Sequence, residues 1–171
     1  MKRCMVDIES LGLEPGAVIL SIGAVHFDEN GIYEDDEFYA NIDLKSSMER
    51  GLQVEPDTLE WWLGQDEEAQ TCLTDGVPIF EALLDFKDFY DAEEIWANSP
   101  AMDCSLLEAA YDSINVQEPW EYHEERDHRT LEAIPGVTEP LIEDEGVKHN
   151  ALDDAKVQAQ KASKMLSQLE A

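Results

Sequence analysis

The stretch Met5-Val6-Asp7-Ile8-Glu9 carries two acidic residues at the end of the first apolar run of the chain. Residues i and i+2 of a β-strand point to the same face, so Asp7 and Glu9 place two carboxylates side by side where the strand leaves the core. Adjacent carboxylates repel each other unless protons or a cation neutralise them, and Mg²⁺ or Mn²⁺ suits oxygen ligands best. The stretch therefore predicts a core strand that ends in a metal site.

Residues 148–155 predict the start of the last helix, with Asn150 as the N-cap and Asp153 as a capping carboxylate. His149 then lies just before the cap, and Asp154 lies at the fourth helical position. Side chains at these two positions contact each other in the hydrophobic-staple geometry. A histidine beside a metal-binding aspartate can act as a general base towards water.

A third acidic residue follows an apolar run at residues 94–97 that turn residues stop. Asp103 falls in the first turn of a helix predicted by the spacing of apolar residues in 102–111. An acidic side chain there is also favoured by the helix dipole, so Asp103 alone has an ordinary structural explanation. Asp-x-Glu at a strand end and a histidine before a helix have ordinary explanations too. Only the conjunction of the three segments indicates a functional site.

Together, these segments resemble the motifs of the DEDDh (DnaQ-like) 3′-5′ exonuclease superfamily over essentially the whole chain. Asp7 and Glu9 match the first motif, Asp103 the second, and His149 with Asp154 the third. Residues 58–69 and 126–130 make the chain look most like the small DexA or Rv2179c-like exonucleases of phages and bacteria.

The order of predicted elements agrees with this resemblance. Three strands at residues 3–9, 17–27 and 32–42 precede helices and a further strand, and a last helix covers 151–169. This order is that of the RNase H-like α/β fold, in which an antiparallel three-strand meander and parallel strands form one mixed central sheet flanked by helices. No linker divides the sequence, so we expect a single domain over residues 1–171.

The resemblance implies a catalytic set in which four carboxylates hold two divalent ions, Mg²⁺ or Mn²⁺, and a histidine is the general base: Asp7, Glu9, Asp103, Asp154 and His149. It implies hydrolysis of single-stranded DNA or RNA from the 3′ end, with release of nucleoside 5′-monophosphates. Ser10 and Leu11 would lie near the terminal nucleotide, and Leu11 could wedge against its base. Related proteins often dimerise, so we expect a homodimer.

Further substrate contacts are expected from aromatic and basic side chains. Trp61 and Trp62 are adjacent on a predicted helix, so one packs in the core and the other stacks a base or fills a subunit interface. Trp62 is the candidate for substrate binding. Arg126, Arg129 and Lys148 are candidates for binding the nucleic-acid backbone, and ordinary surface salt bridges are the alternative explanation.

The net charge of −29, from 40 acidic and 11 basic residues, opposes the approach of nucleic acid. Bound metal ions would reverse the sign locally. A high-salt cytoplasm, in which such repulsion is screened, would explain the acidity. The alternative function is a non-catalytic acidic DNA-mimic or interaction protein, which explains the charge but not the spacing of the five motif residues.

The sequence has no apolar run long enough to cross a membrane, and its N-terminus leads straight into a strand. We therefore expect a cytoplasmic protein with no membrane contact. Cys4, Cys72 and Cys104 are odd in number and lack metal-type spacing, which predicts reduced thiols rather than a disulfide framework.

Overall fold

The computed structural model describes residues 1–142, 146 and 149–169, so the predicted contact Lys148 lies outside the described residues. The strands are β1 (Arg3–Ser10), β2 (Ile19–Asp28), β3 (Gly31–Asn41), β4 (Glu94–Ala97) and β5 (Glu125–Asp127). The helices are α1 (Leu44–Glu49), α2 (Pro56–Leu63), α3 (Ile79–Phe89), α4 (Pro100–Ser113), α5 (His128–Glu132) and α6 (Ala151–Leu169), with short 3₁₀ helices at Ala69–Leu73 and Tyr122–Glu124.

The five strands form one mixed sheet in the order β3-β2-β1-β4-β5. The first three strands are an antiparallel meander, and β4 and β5 continue the sheet in parallel with β1. The predicted sheet architecture is therefore confirmed, although the apolar pattern did not mark the three-residue β5 or the short helices α1 and α5. Among the described helices, none has the length and apolar character to cross a bilayer.

The alternation of side chains along β1 decides which face carries the acidic residues. Cys4, Val6 and Ile8 belong to the larger core cluster, which also contains residues of α3 and α4. Met5 points to the opposite face, where it joins a second cluster with the buried alanines of α6. Because Asp7 and Glu9 share the parity of Met5, both carboxylates point to the face that α6 covers.

A glycine in the middle of β2 lets α6 reach that face. Gly23 pairs with Asp7 across the sheet. A Cβ atom at Gly23 would lie only 2.2 Å from the backbone of Ala151 and Leu152. The first turn of α6 therefore rests directly on the sheet, one strand away from Asp7, and glycine is required for this close approach.

The start of α6 follows the predicted capping pattern. Asn150 Oδ1 accepts hydrogen bonds from the backbone N–H groups of Leu152 at 3.0 Å and Asp153 at 3.2 Å. His149, just before the cap, has φ = +60°, a left-handed conformation that is uncommon outside glycine. At the other end of the helix, Leu169 is half exposed.

Candidate active site

Four carboxylates from three elements converge at the end of β1. Ligand oxygens of Asp7, Glu9 and Asp154 all lie within 4.8 Å of one another. Asp103, from the first turn of α4, lines the same cavity, whose volume is about 320 Å³. The parallel pairing of β1 with β4 explains this, because the chain leaves β4 directly into α4 at the edge where β1 ends.

Burial and mutual repulsion disfavour the ionised forms of the two β1 carboxylates. Burial and then the charge of Asp103 raise the pKa of Asp7 well above its usual range, and Glu9 and Asp154 act in the same direction. Burial, followed by the charges of Asp154 and Asp103, raises the pKa of Glu9 to about 8. A cation placed between these groups would relieve both effects.

Asp103 is only 6% exposed, and both backbone hydrogen bonds and a nearby arginine favour its ionised form. Burial raises its pKa to about 6, although backbone hydrogen bonds and the nearby charge of Arg129 lower it. The backbone N–H of Ser99 donates to Asp103 Oδ2 at 3.3 Å. Arg129 lines the cavity, where it is the one cation among the lining residues that the structure describes.

Gln158 is part of the site and was missed by sequence reasoning. Its Nε2 donates a hydrogen bond to Asp7 Oδ1 at 2.8 Å, and its side chain lines the acidic cavity. Gln158 follows Asp154 by four residues, so both lie on the same face of α6. This spacing was the signal that could have identified it.

A second cavity of about 390 Å³ adjoins the acidic one and is mainly apolar. The two share the wall residues Ile8, Glu9 and Met102. The second cavity is also lined by Trp61, whose ring is 45% exposed. An acidic site thus opens beside an apolar surface that carries an accessible aromatic ring.

His149 lies at this aromatic surface. Its ring is nearly perpendicular to that of Trp61, with 4.9 Å between ring centroids, and it is 6.0 Å from Trp62 in a similar orientation. The predicted contact between His149 and Asp154 stays a prediction. The structure places the imidazole beside the residues that line the apolar cavity.

The family model of the Rv2179c-like 3′-5′ exoribonuclease domain matches residues 2–166. The chain belongs to this family. The family is one of enzymes, which argues against the alternative of a non-catalytic acidic mimic. The proposed branch within the exonuclease superfamily is therefore confirmed.

Solved exonuclease structures share the fold of this exonuclease domain at low sequence identity. Exonuclease X in complex with 5′ overhanging duplex DNA is 16% identical, with a TM-score of 0.63 over 96% of this chain and 90% of that one. The nuclease domain of 3′hExo, a DEDDh family member bound to rAMP, is 13% identical, with a TM-score of 0.67 over 96% and 91%. Escherichia coli Exonuclease I with a dT13 oligonucleotide is 17% identical with a TM-score of 0.64, and the match covers 96% of this chain and 40% of that one. These matches confirm the RNase H-like fold.

One curated protein has a local match to the exonuclease domain. 1-Aminocyclopropane-1-carboxylate synthase 4 of Solanum lycopersicum is 28% identical over 72 residues, which are 40% of this chain. The match spans 15% of the tomato protein, too small a share to carry any of its activity to this chain.

Of the two adjacent tryptophans of the exonuclease domain, the structure buries the one that was predicted to bind substrate, Trp62. Trp62 is 1% exposed, and its Nε1 donates to the backbone carbonyl of Ser10 at 2.9 Å. Trp62 therefore fixes the end of β1 and has almost no free ring surface for stacking. The accessible partner is Trp61, because successive helical residues face different directions.

The other predicted substrate contacts differ in whether they line a cavity of the site. Ser10 lines the apolar cavity, and its hydroxyl donates to the Gly12 carbonyl at 2.6 Å. Leu11 has no exposed surface, a position that suits core packing rather than the expected wedge against a base. Arg126 donates from Nε to Glu94 Oε1 at 2.9 Å and also to two backbone carbonyls, so its guanidinium is engaged in contacts next to the sheet. Arg129, in contrast, lines the acidic cavity.

Proposed function

We propose that this domain hydrolyses single-stranded nucleic acid from the 3′ end, with RNA as the preferred substrate, and releases nucleoside 5′-monophosphates. The observation that carries the proposal is the convergence of Asp7, Glu9, Asp103 and Asp154 in one cavity beside an apolar cavity. The preference for RNA is supported by the description of the family as exoribonucleases.

The donor set fits two divalent metal ions, Mg²⁺ or Mn²⁺. Carboxylate oxygens are the ligands that these hard cations prefer. Asp7, Glu9 and Asp154 are close enough to share an ion, and Asp103 lies in the same cavity to complete the set. Bound ions would activate water for attack on the phosphate and neutralise charge on the leaving 3′ oxygen. The four carboxylates would hold these cations by electrostatic attraction, and bound cations would relieve the repulsion between the carboxylates.

His149 is the proposed general base. His26 and His128 are 0% and 2% exposed, so neither can meet substrate in this structure. His123 lies in the 3₁₀ helix after α4 and lines neither cavity. His149 lies against Trp61 at the apolar cavity, and Glu9 lines both this cavity and the acidic one. This location supports His149 as the residue that accepts a proton from the attacking water.

The apolar cavity is the proposed site for the terminal nucleotide. The exposed ring of Trp61 offers a stacking surface for a base, and such stacking tolerates any base sequence. Arg129 would contact the phosphate, since it is the cation that lines the acidic cavity among the described residues. With a net charge of −29, local contacts of this kind must hold the substrate against long-range repulsion.

The test is digestion of matched 5′-labelled single-stranded RNA and DNA oligonucleotides in Mg²⁺, Mn²⁺ or EDTA. We expect a ladder that shortens from the 3′ end, depends on metal and forms faster on RNA. The matched variants are Asp7→Asn and Asp35→Asn, because Asp35 is an exposed acidic residue on β3. Only Asp7→Asn should abolish the ladder.

Each part of the proposal can fail separately. No cleavage in any metal, or activity retained in Asp7→Asn, would overturn the proposed nuclease site. Faster cleavage of DNA would overturn the substrate preference alone.

A further inference from the structure

Gln158 donates a side-chain hydrogen bond to one of the two β1 carboxylates. Its Nε2 lies 2.8 Å from Asp7 Oδ1, and the two residues are 151 positions apart in sequence. The donor comes from α6, four residues after Asp154. One face of α6 therefore supplies both a carboxylate and an amide to the acidic cavity.

Gln158 is partly buried, where the packed face of α6 meets the acidic cavity. Its neighbours on the helix, Ala155 and Ala159, are fully buried in the cluster between α6 and the sheet. The Oε1 atom of Gln158 is also buried, and no described residue donates to it. An amide oxygen buried without a partner is unfavourable, so a compensating use of the amide is expected.

We infer that Gln158 is a positioning residue that orients the Asp7 carboxylate for divalent metal binding, an inference that rests on the proposed function. An N–H donor on Oδ1 restricts rotation of the carboxylate about its last torsion and favours its ionised form. A neutral amide does this without placing a positive charge where the cation binds. A Lys or Arg at this position would compete with the metal, and a Glu would add a further negative charge.

The test compares Mn²⁺ affinity, measured by isothermal titration calorimetry, in wild type, Gln158→Met and Gln158→Leu. Met keeps the length and helix propensity of the side chain but cannot donate a hydrogen bond. Gln160→Met is the matched control, since Gln160 lies on the same helix and lines neither cavity. Partners behind metal ligands typically change metal affinity by about 10–100-fold, so we expect at least a tenfold weaker Kd in Gln158→Met.

A second readout separates positioning from folding. In Gln158→Met, the rate of digestion at saturating Mn²⁺ should return to within about threefold of wild type, because metal in excess compensates for weaker binding. The metal-free melting temperature should change little, because the lost hydrogen bond to Asp7 is offset by removal of a buried amide oxygen that has no partner. A folded Gln158→Met with wild-type Mn²⁺ affinity would overturn the inference, as would an equal weakening in Gln160→Met. If Gln158→Met does not fold, Gln158→Leu decides, since its side chain also lacks a donor and must weaken Mn²⁺ binding.

These outcomes are distinct from failure of the proposed function. A wild-type protein that binds no Mn²⁺ and digests no oligonucleotide would overturn the nuclease assignment and, with it, the inference. A wild-type protein that does both, beside a Gln158→Met variant with unchanged affinity, would overturn the role of Gln158 alone.

Discussion

The acidic side chains near the two ends of β1 have different kinds of partner. At the first end, Arg3 Nε lies 3.2 Å from Glu94 Oε2, and Arg3 Nη1 lies 3.1 Å from Glu29 Oε2. Arg126 supplies a second cation to Glu94, at 2.9 Å from its Oε1. The acidic residues here are neutralised by arginines of the chain itself.

At the far end of the same strand, no lysine or arginine among the described residues forms a salt bridge with Asp7 or Glu9. Asp7 receives a hydrogen bond from the neutral amide of Gln158 and lies against Glu9 and Asp154. Burial and then neighbouring carboxylate charges raise the pKa values of Asp7 and Glu9. The difference teaches that the fold pairs acidic residues with its own arginines at the first end of β1, whereas Asp7 and Glu9 lie at the end where the proposed metal ions would bind.

The largest expected effect comes from removing one carboxylate at each end. Asp7→Asn should lower the rate of digestion by on the order of 10³-fold, because it removes a metal ligand. It should leave metal-free stability unchanged or higher, since it removes repulsion. Glu94→Gln should do the opposite, lowering the free energy of unfolding by about 1–3 kcal/mol, because Arg126 and the buried Arg3 lose a shared carboxylate while Arg3 keeps only Glu29. Digestion rates and denaturant unfolding in EDTA measure both, and a loss of stability in Asp7→Asn would break the comparison.

The far end of β1 also depends on the close approach of α6. In Gly23→Ala, the added methyl group meets the backbone of Ala151 and Leu152, so the helix must move away from the sheet. We expect a loss of about 1–3 kcal/mol in unfolding free energy. The rate of digestion should fall by about 10²-fold, since Asp154 shifts relative to Asp7. Gly64→Ala is the control, because its methyl group meets nothing nearer than 3.3 Å, and an equal effect there would contradict the explanation.

The features that the sequence predicted correctly are set by local rules. The shared face of Asp7 and Glu9 follows from the period of two in a strand, and the start of α6 follows from the capping oxygen of Asn150. The mixed sheet followed from the order of strands and helices. Each of these depends on residues that are near one another in the chain.

The features that were missed depend on contacts between distant segments. The hydrogen bond from Gln158 to Asp7 joins the two ends of the chain, and the pairing of Arg126 with Glu94 joins neighbouring strands. The choice between Trp61 and Trp62 required knowledge of which face of α2 meets β1. Gly23 carried a readable signal, because a glycine inside a strand often marks a close backbone approach.

Trp61 and Trp62, the adjacent tryptophans of α2, should have different roles at the far end of β1. Trp61→Ala should raise KM for RNA by on the order of tenfold, because a base loses its stacking surface, and should leave stability nearly unchanged. Trp62→Phe should instead lower stability by about 1–3 kcal/mol, since the buried Ser10 carbonyl loses its donor. Steady-state kinetics and thermal unfolding separate the two, and a KM effect confined to Trp62→Phe would reverse these assignments.

The smallest effect is the pH dependence of the metal-free protein. Burial and neighbouring charges raise the pKa of Glu9 to about 8, above the ordinary value of about 4.3 in an unfolded chain. The folded protein therefore binds this proton more tightly, so its contribution to stability is present at low pH and is lost as pH rises through about 8. Unfolding in EDTA between pH 6.5 and 9 should show stability falling with pH in wild type and in Glu94→Gln, but less steeply in Glu9→Gln. Saturating Mn²⁺ should also flatten the wild-type curve, because a bound cation favours the ionised carboxylates. An equally steep fall in Glu9→Gln would show that another group binds this proton, and it would break the contrast between Glu9 and the arginine-paired Glu94.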